Sequence, residues 1–150
     1  MNADQRSTGR VRGRAVLLVI LVASIVSTAV HYTNNYLQID LYPQLPPITD
    51  ADVKLAIVVS WPLLTLVGVA GYWLYVRQQL WAARACLVIY SFTGLVSLGH
   101  FFQGVPQVAW YWFATMGTDG ITGIALWVFT IWSISQDSKP QLAAESTART

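Results

Sequence analysis

Charge is scarce in this chain. Only 11% of its 150 residues are Asp, Glu, Lys or Arg, against about a quarter in a typical soluble domain, and no Glu occurs before Glu145. With 55% hydrophobic residues, that shortage excludes a soluble globular domain and also a disordered polar chain. Cysteine is nearly missing. The single Cys86 allows no internal disulfide and reads as a small packing residue. No G-x-x-x-x-G-K-S/T or G-x-G-x-x-G segment is present, so the phosphate cradles of nucleotide enzymes are absent. No H-x-x-H or E-x-x-H pair is present either, which removes the common short metal-ligand spacings.

What the chain does have is long apolar runs. A helix crosses about 30 Å of hydrocarbon with roughly 20 apolar residues, and such runs extend over Ala15 to Tyr32, Leu55 to Tyr75, Ala82 to Phe102 and Val108 to Trp132. The expected fold is an all-α integral membrane protein of four transmembrane helices in an up-down-up-down bundle. Residues 15–135 form that bundle, between a basic tail at 1–14 and a polar tail at 136–150, both expected to be disordered. Arg6, Arg10, Arg12 and Arg14 precede the first run, Arg77 and Arg84 bracket the second link, and Lys139 and Arg149 follow the fourth. Only Lys54 falls on the other side. Basic residues in short loops mark the cytoplasmic face, so both termini are expected there, in a cell membrane. The tail is too short a cluster to suggest nucleic acid as a partner. Arginines, an apolar stretch and then Ser27, Thr28 and Ala29 also resemble a secretory signal, but the run is long for one and continues into His31 and Tyr32, so retention is expected.

The loop from Thr33 to Ala51 mixes Tyr36, Leu37, Ile39, Leu41 and Tyr42 with prolines, too apolar for a solvated linker; it should lie on the membrane surface or cap the bundle. Thr49 and Asp52 match a capping box that starts the second helix. Pro62 interrupts the second run and removes one backbone hydrogen bond. Small residues (Ala23, Ser27, Gly68, Gly71, Gly117, Gly120 and Gly123) allow helices to approach closely where lipid supplies no hydrophobic force.

Three ionisable residues lie where lipid makes polarity expensive: His31, His100 and Asp119. Side chains lean toward a helix N-terminus. With alternating spans, His31 and His100 lean inward from the outer boundary while Ser60 and Asp119 lean outward. All four therefore converge on the outer half. Asp119 lies nine residues after the interfacial Trp110, about 13 Å deep, which leaves a gap of order 5 to 10 Å to the histidines. Thr115 and Thr122 share its helical face. The alternative is a neutral carboxyl that only hydrogen-bonds Thr115 or a neighbouring helix. Asn34, Asn35 and Asp40 read as loop and turn residues.

Three functions fit. In the first, the chain binds or converts a lipophilic small molecule by acid-base chemistry of the isomerase or cyclase kind. His31, His100 and Asp119 are then catalytic, and Ser60, Trp61, Thr115, Thr122 and Trp112 line the ligand site. The aromatics Trp61, Trp110, Trp112 and Tyr36 suit an apolar or cationic species. In the second, the first and third helices are diagonal, and His31 and His100 are axial ligands of a haem, or bind another pigment. In the third, the chain is an accessory subunit of a larger membrane complex, a homo-oligomer or a proton pathway, with glycine faces packing against partners. Membrane lipid is a partner in every case. Sterol-isomerase-type membrane proteins use several intramembrane acids; that pattern is not met here, and no family resemblance is drawn.

Overall fold

The computed structural model describes residues 3–43 and 47–148. Helix α1 (Ala3–Leu37) is followed by a 3-10 turn (Ile39–Leu41), α2 (Asp50–Val76), α3 (Leu80–Val96), a second 3-10 turn (Ser97–Gly99), the short α4 (His100–Gln103) and α5 (Trp110–Ala148). No strand occurs among the described residues. Three helical segments are long and apolar enough to cross a membrane: Val11–Leu37, Asp50–Val76 and Leu80–Phe102. Helix α5 carries Thr115, Thr118, Asp119, Thr122 and three glycines in its first half, and this polar content sets it apart from the other three.

Helices α1 and α5 run beyond the apolar stretches into tails expected to lack structure. Once a helix is nucleated, each added residue contributes a hydrogen bond without a new nucleation cost, so a polar continuation propagates. The start of α2 matches its sequence. Thr49 Oγ1 accepts from the Asp52 amide at 3.3 Å, and Asp52 Oδ2 accepts from the Thr49 amide at 3.0 Å. Helix α2 continues through Pro62. It ends in a six-residue cap: the Gln79 amide donates to the Leu74 carbonyl at 3.0 Å and the Gln78 amide to the Tyr75 carbonyl at 3.1 Å. Gln78 has φ 63°, at the position where this cap normally carries glycine.

Helix α2 packs on α1 and α3, and α5 packs on α1 and α3, whereas α1 and α3 touch little. Two glycines set the spacing. At Gly68 an added Cβ would stand 2.7 Å from the ring of Tyr90, so its absence lets that buried tyrosine lie flat on α2. At Gly94 an added Cβ would overlap the backbone carbonyl of Asp119, so α3 and α5 approach here with nothing between them.

Polarity is distributed inside out. Val19, Val22, Val26, Leu55, Leu63, Leu66, Ile121, Ile124 and Val128 are exposed, while Ser24, Thr28, His31, Ser91, Thr93, Ser97, Asp119, Thr130 and Ser133 are buried. Lipid is the solvent that accommodates such an exterior.

The two ends differ. At the end bearing Arg14, Arg77 and Arg84, the interior is an apolar cluster of Leu17, Leu21, Tyr75, Ala83, Leu87, Leu126 and Phe129. Arg84 is buried there, donating from Nε to Ser133 Oγ and from Nη2 to the Ser133 carbonyl, both at 2.8 Å. Arg14 donates to the Val76 carbonyl at 3.1 Å, one of the acceptors left open by the end of α2. At the other end the interior is polar.

Candidate binding and acid-base site

A polar stripe on α1 organises this end. Ser24, Thr28, His31 and Asn35 recur at helical spacing on the buried face, with Ser27 and Asn34 beside them. Asp119 is 0% exposed. Ser27 Oγ donates to its Oδ1, and Ser97 Oγ donates to its Oδ2 at 2.9 Å. Ser27 also lies 2.7 Å from Thr118 Oγ1. The carboxyl thus ties α1, the turn after α3 and α5 together. Thr122 donates to the Asp119 backbone carbonyl at 3.0 Å and does not reach the carboxyl.

One helical turn away lie the histidines. Ser27 precedes His31 by four residues and Thr115 precedes Asp119 by four, so the two layers stack about 6 Å apart. His31 is 0% exposed, and its ring centre lies 5.6 Å from that of His100. Tyr42, from the loop after α1, packs against both, 4.9 Å from His100 and 6.2 Å from His31. Its hydroxyl donates to Asn34 Oδ1 at 2.6 Å, and burial raises its phenol from 10.0 to about 12. The Gln107 amide donates to the Leu41 carbonyl at 2.8 Å, so the two loops at this end meet over the histidines.

The hydrogen bonds assign the imidazole protons. Thr115 commits its single hydroxyl proton to the Trp112 carbonyl at 2.7 Å, so in its 3.4 Å contact with His31 Nδ1 the ring nitrogen is the donor. His31 Nε2 then carries a lone pair, and it is buried without a partner. Asn35 Nδ2 donates to His100 Nε2 at 3.2 Å, which leaves the proton of neutral His100 on Nδ1, also buried without a partner. Asn35 Oδ1 is a third open acceptor. A buried group left unmet costs about 1 to 3 kcal/mol; Arg14 Nε, Ser24 Oγ, Thr65 Oγ1 and Tyr90 Oη are open elsewhere, and what sets this layer apart is three open atoms gathered around one pair of imidazoles.

A groove of about 310 Å³ lies along α1 and α2 beside this histidine layer, lined by Ala29, Tyr32, Thr33, Tyr36, Leu37, Ile57, Val58, Trp61 and Pro62. Tyr32 links the groove to the histidines. Its ring meets His31 edge-on at 5.5 Å, and its hydroxyl donates to the Thr93 carbonyl at 2.8 Å. Trp61 spans the same seam, donating from Nε1 to Thr28 Oγ1 at 3.1 Å.

Of the four residues expected to converge, the structure brings His31 and His100 together and sets the Asp119 carboxyl about one helical turn away, on Ser27 and Ser97. Ser60 does not join them: it is exposed on α2, and its hydroxyl turns back to the Ala56 carbonyl. Asp119 bonds two serines of neighbouring elements, while Thr115 pairs with His31 instead. Trp112 contributes its carbonyl to Thr115. Trp110 is 80% exposed and stands clear of the chamber. Asn34 and Asn35, read as loop residues, are buried in the last turns of α1, whereas Asp40 is exposed. A porphyrin is far wider than either imidazole, so between these rings it would displace Tyr42, which packs on both; as arranged, the pair does not fit a haem. Among the described residues no group of three or more His, Cys, Asp or Glu is placed to hold a metal.

No protein-family model, curated protein or solved structure matches this chain.

Proposed function

We propose that this chain is a membrane-embedded binding protein or enzyme for a lipophilic small molecule, with His31, His100 and Asp119 as its acid-base and recognition groups. In this reading α5 crosses the bilayer with the other three helices, the arginine end faces the cytoplasm by the positive-inside rule, and the histidine chamber lies in the outer half.

The observation that carries it is the open pair at His31 Nε2 and His100 Nδ1, buried and unmet beside an apolar groove. An open basic nitrogen beside an open N–H supplies a base that takes a proton from a ligand and a donor that polarises its oxygen. Access from the lipid side is consistent with the rest of the geometry. The loops close over the histidines at one end, and Leu17, Leu21, Leu87 and Leu126 fill the interior at the other. That apolar plug also disfavours a continuous proton pathway, which would need polar groups or water through both halves.

The test is mass spectrometry and an optical spectrum of the detergent-purified protein, wild type beside Asp119→Asn. The expected result is a lipophilic molecule enriched over bulk membrane lipid in the wild type and lost from the substituted, still folded chain. A wild type carrying only bulk lipid in membrane proportions would overturn the reading, and a Soret band would replace it with the haem alternative.

A further inference from the structure

The two open ring nitrogens of the chamber are of opposite kind, and this says more about the ligand than that it is lipophilic. His31 Nε2 accepts and His100 Nδ1–H donates, by the proton assignments that Thr115 and Asn35 impose. With ring centres 5.6 Å apart, the two nitrogens are separated by roughly 3.5 to 8 Å, whatever the ring rotation. Neither bonds the other. One hydroxyl oxygen, whose donor and acceptor directions diverge by roughly 110 to 120°, bridges nitrogens about 4.6 to 5.2 Å apart with two hydrogen bonds of about 2.8 to 3.0 Å, a separation inside that range.

We propose that His31 and His100 together hold the hydroxyl of an amphiphilic alcohol, its oxygen accepting from His100 Nδ1–H and its proton donated to His31 Nε2. The assignment deepens the reading of this site as one for a lipophilic ligand and rests on it. An ether or ketone oxygen satisfies His100 and leaves His31 unmet. A hydrocarbon satisfies neither, and an amine cation, having donors only, leaves His100 unmet. Only a group that both donates and accepts meets both nitrogens. Asn35, bonded to His100, carries a second open acceptor in Oδ1, so a ligand with a neighbouring hydroxyl gains a further bond. The apolar remainder of the molecule runs past Tyr32, which touches His31 and lines the groove, into that groove.

The experiment uses the full-length wild-type chain with 15N-labelled histidine in nanodiscs, titrated with 1-dodecanol, dodecyl methyl ether and dodecane. Imidazole 15N shifts report each nitrogen separately, and with only two histidines in the chain the signals are assigned from His31→Gln and His100→Gln. Before any addition, His31 is expected to be the Nδ1–H form and His100 likewise. Dodecanol is expected to shift both His31 Nε2 and His100 Nδ1 saturably. The ether should shift His100 Nδ1 alone and bind on the order of tenfold more weakly, the loss expected for one unmet buried hydrogen bond. Dodecane should shift neither nitrogen.

A His31 ring protonated at Nε2, or an ether that moves both nitrogens as dodecanol does, overturns the hydroxyl assignment. So does an alcohol that moves neither, the outcome of a chamber holding only water. If a co-purified lipophile without a hydroxyl is lost on Asp119→Asn, the ligand site stands and this assignment fails. If nothing co-purifies and no probe shifts either ring, both fail.

Discussion

The arginine half and the histidine half of this molecule are built from the same helices and use polarity in opposite ways. In the arginine half, buried polarity is structural: Arg84 closes onto both the side chain and the carbonyl of Ser133, Arg14 fills an acceptor at the end of α2, and leucines and aromatics pack between. In the histidine half, Asp119 is likewise met by two serines, but the layer above it leaves His31 Nε2, His100 Nδ1 and Asn35 Oδ1 open. A buried polar group with partners holds a fold together, whereas a cluster of them left open costs stability that a ligand can return. The difference between the halves is therefore one of degree: Arg14 Nε is open at the arginine end, whereas the histidine layer gathers three open atoms around one pair of rings.

Several substitutions would break or sharpen that contrast. The largest effect is expected from Gly94→Val, which drives a side chain into the Asp119 carbonyl, forces α3 from α5 and loses about 3 kcal/mol or more; thermal unfolding in detergent measures it. Leu87→Ala in the arginine half leaves a cavity and should lose about 1 to 3 kcal/mol. That is less than in a soluble core, because lipid removes the transfer contribution. It should leave ligand retention unchanged.

A smaller effect belongs to alkaline pH. Burial raises the folded-state phenol of Tyr42 from 10.0 to about 12, so the unfolded chain gives up that proton first as the pH rises. The contribution is fully present below about pH 10 and is lost as the pH approaches about 12. Unfolding of Tyr42→Phe across that window should lack the corresponding part of the fall. Asp119→Asn keeps the volume but sets an NH2 donor against one of the two serines, whose bond must reverse, so stability should fall by about 1 kcal/mol while ligand retention is abolished; loss of stability alone would make the carboxyl a structural tie like Arg84. The smallest effect has the opposite sign. An added methyl at Gly117 meets open space, so Gly117→Ala should gain about 0.5 to 1 kcal/mol from helix propensity.

Much of this was legible from residue types alone. Three of the four apolar runs as helices long enough to span, the capping box at Thr49 and the nearness of His31 to His100 follow from length, spacing and side-chain direction. What escaped depended on facts that single residues do not carry. Ser27 reads as a small packing residue until its position four before His31 is noticed, and Ser97 stands three before His100. The α1 stripe from Ser24 to Asn35 is a polar periodicity inside an apolar run, and it was the available signal for most of the chamber. Ser60 misled because a hydroxyl in lipid has a local alternative, the carbonyl one turn back. Tyr42 was out of reach because its placement depends on how a twelve-residue connection folds back. Gly94 was hidden for another reason: its role lies in the backbone of Asp119 on another helix.

That last contact also offers a way to find related chains. Glycine at 94, serine at 97 and histidine at 100 form a G-x-x-S-x-x-H register that runs from the end of α3 through the 3-10 turn to the start of α4, in which the first position sets the distance to the aspartate helix, the second holds the carboxyl and the third completes the open pair. A genome search keyed to that register and to an aspartate within a following glycine-rich helix asks for a geometry rather than overall similarity. A chain that carries a larger residue at the glycine while keeping the other two would have its α3 and α5 differently spaced, and its carboxyl set for a different task.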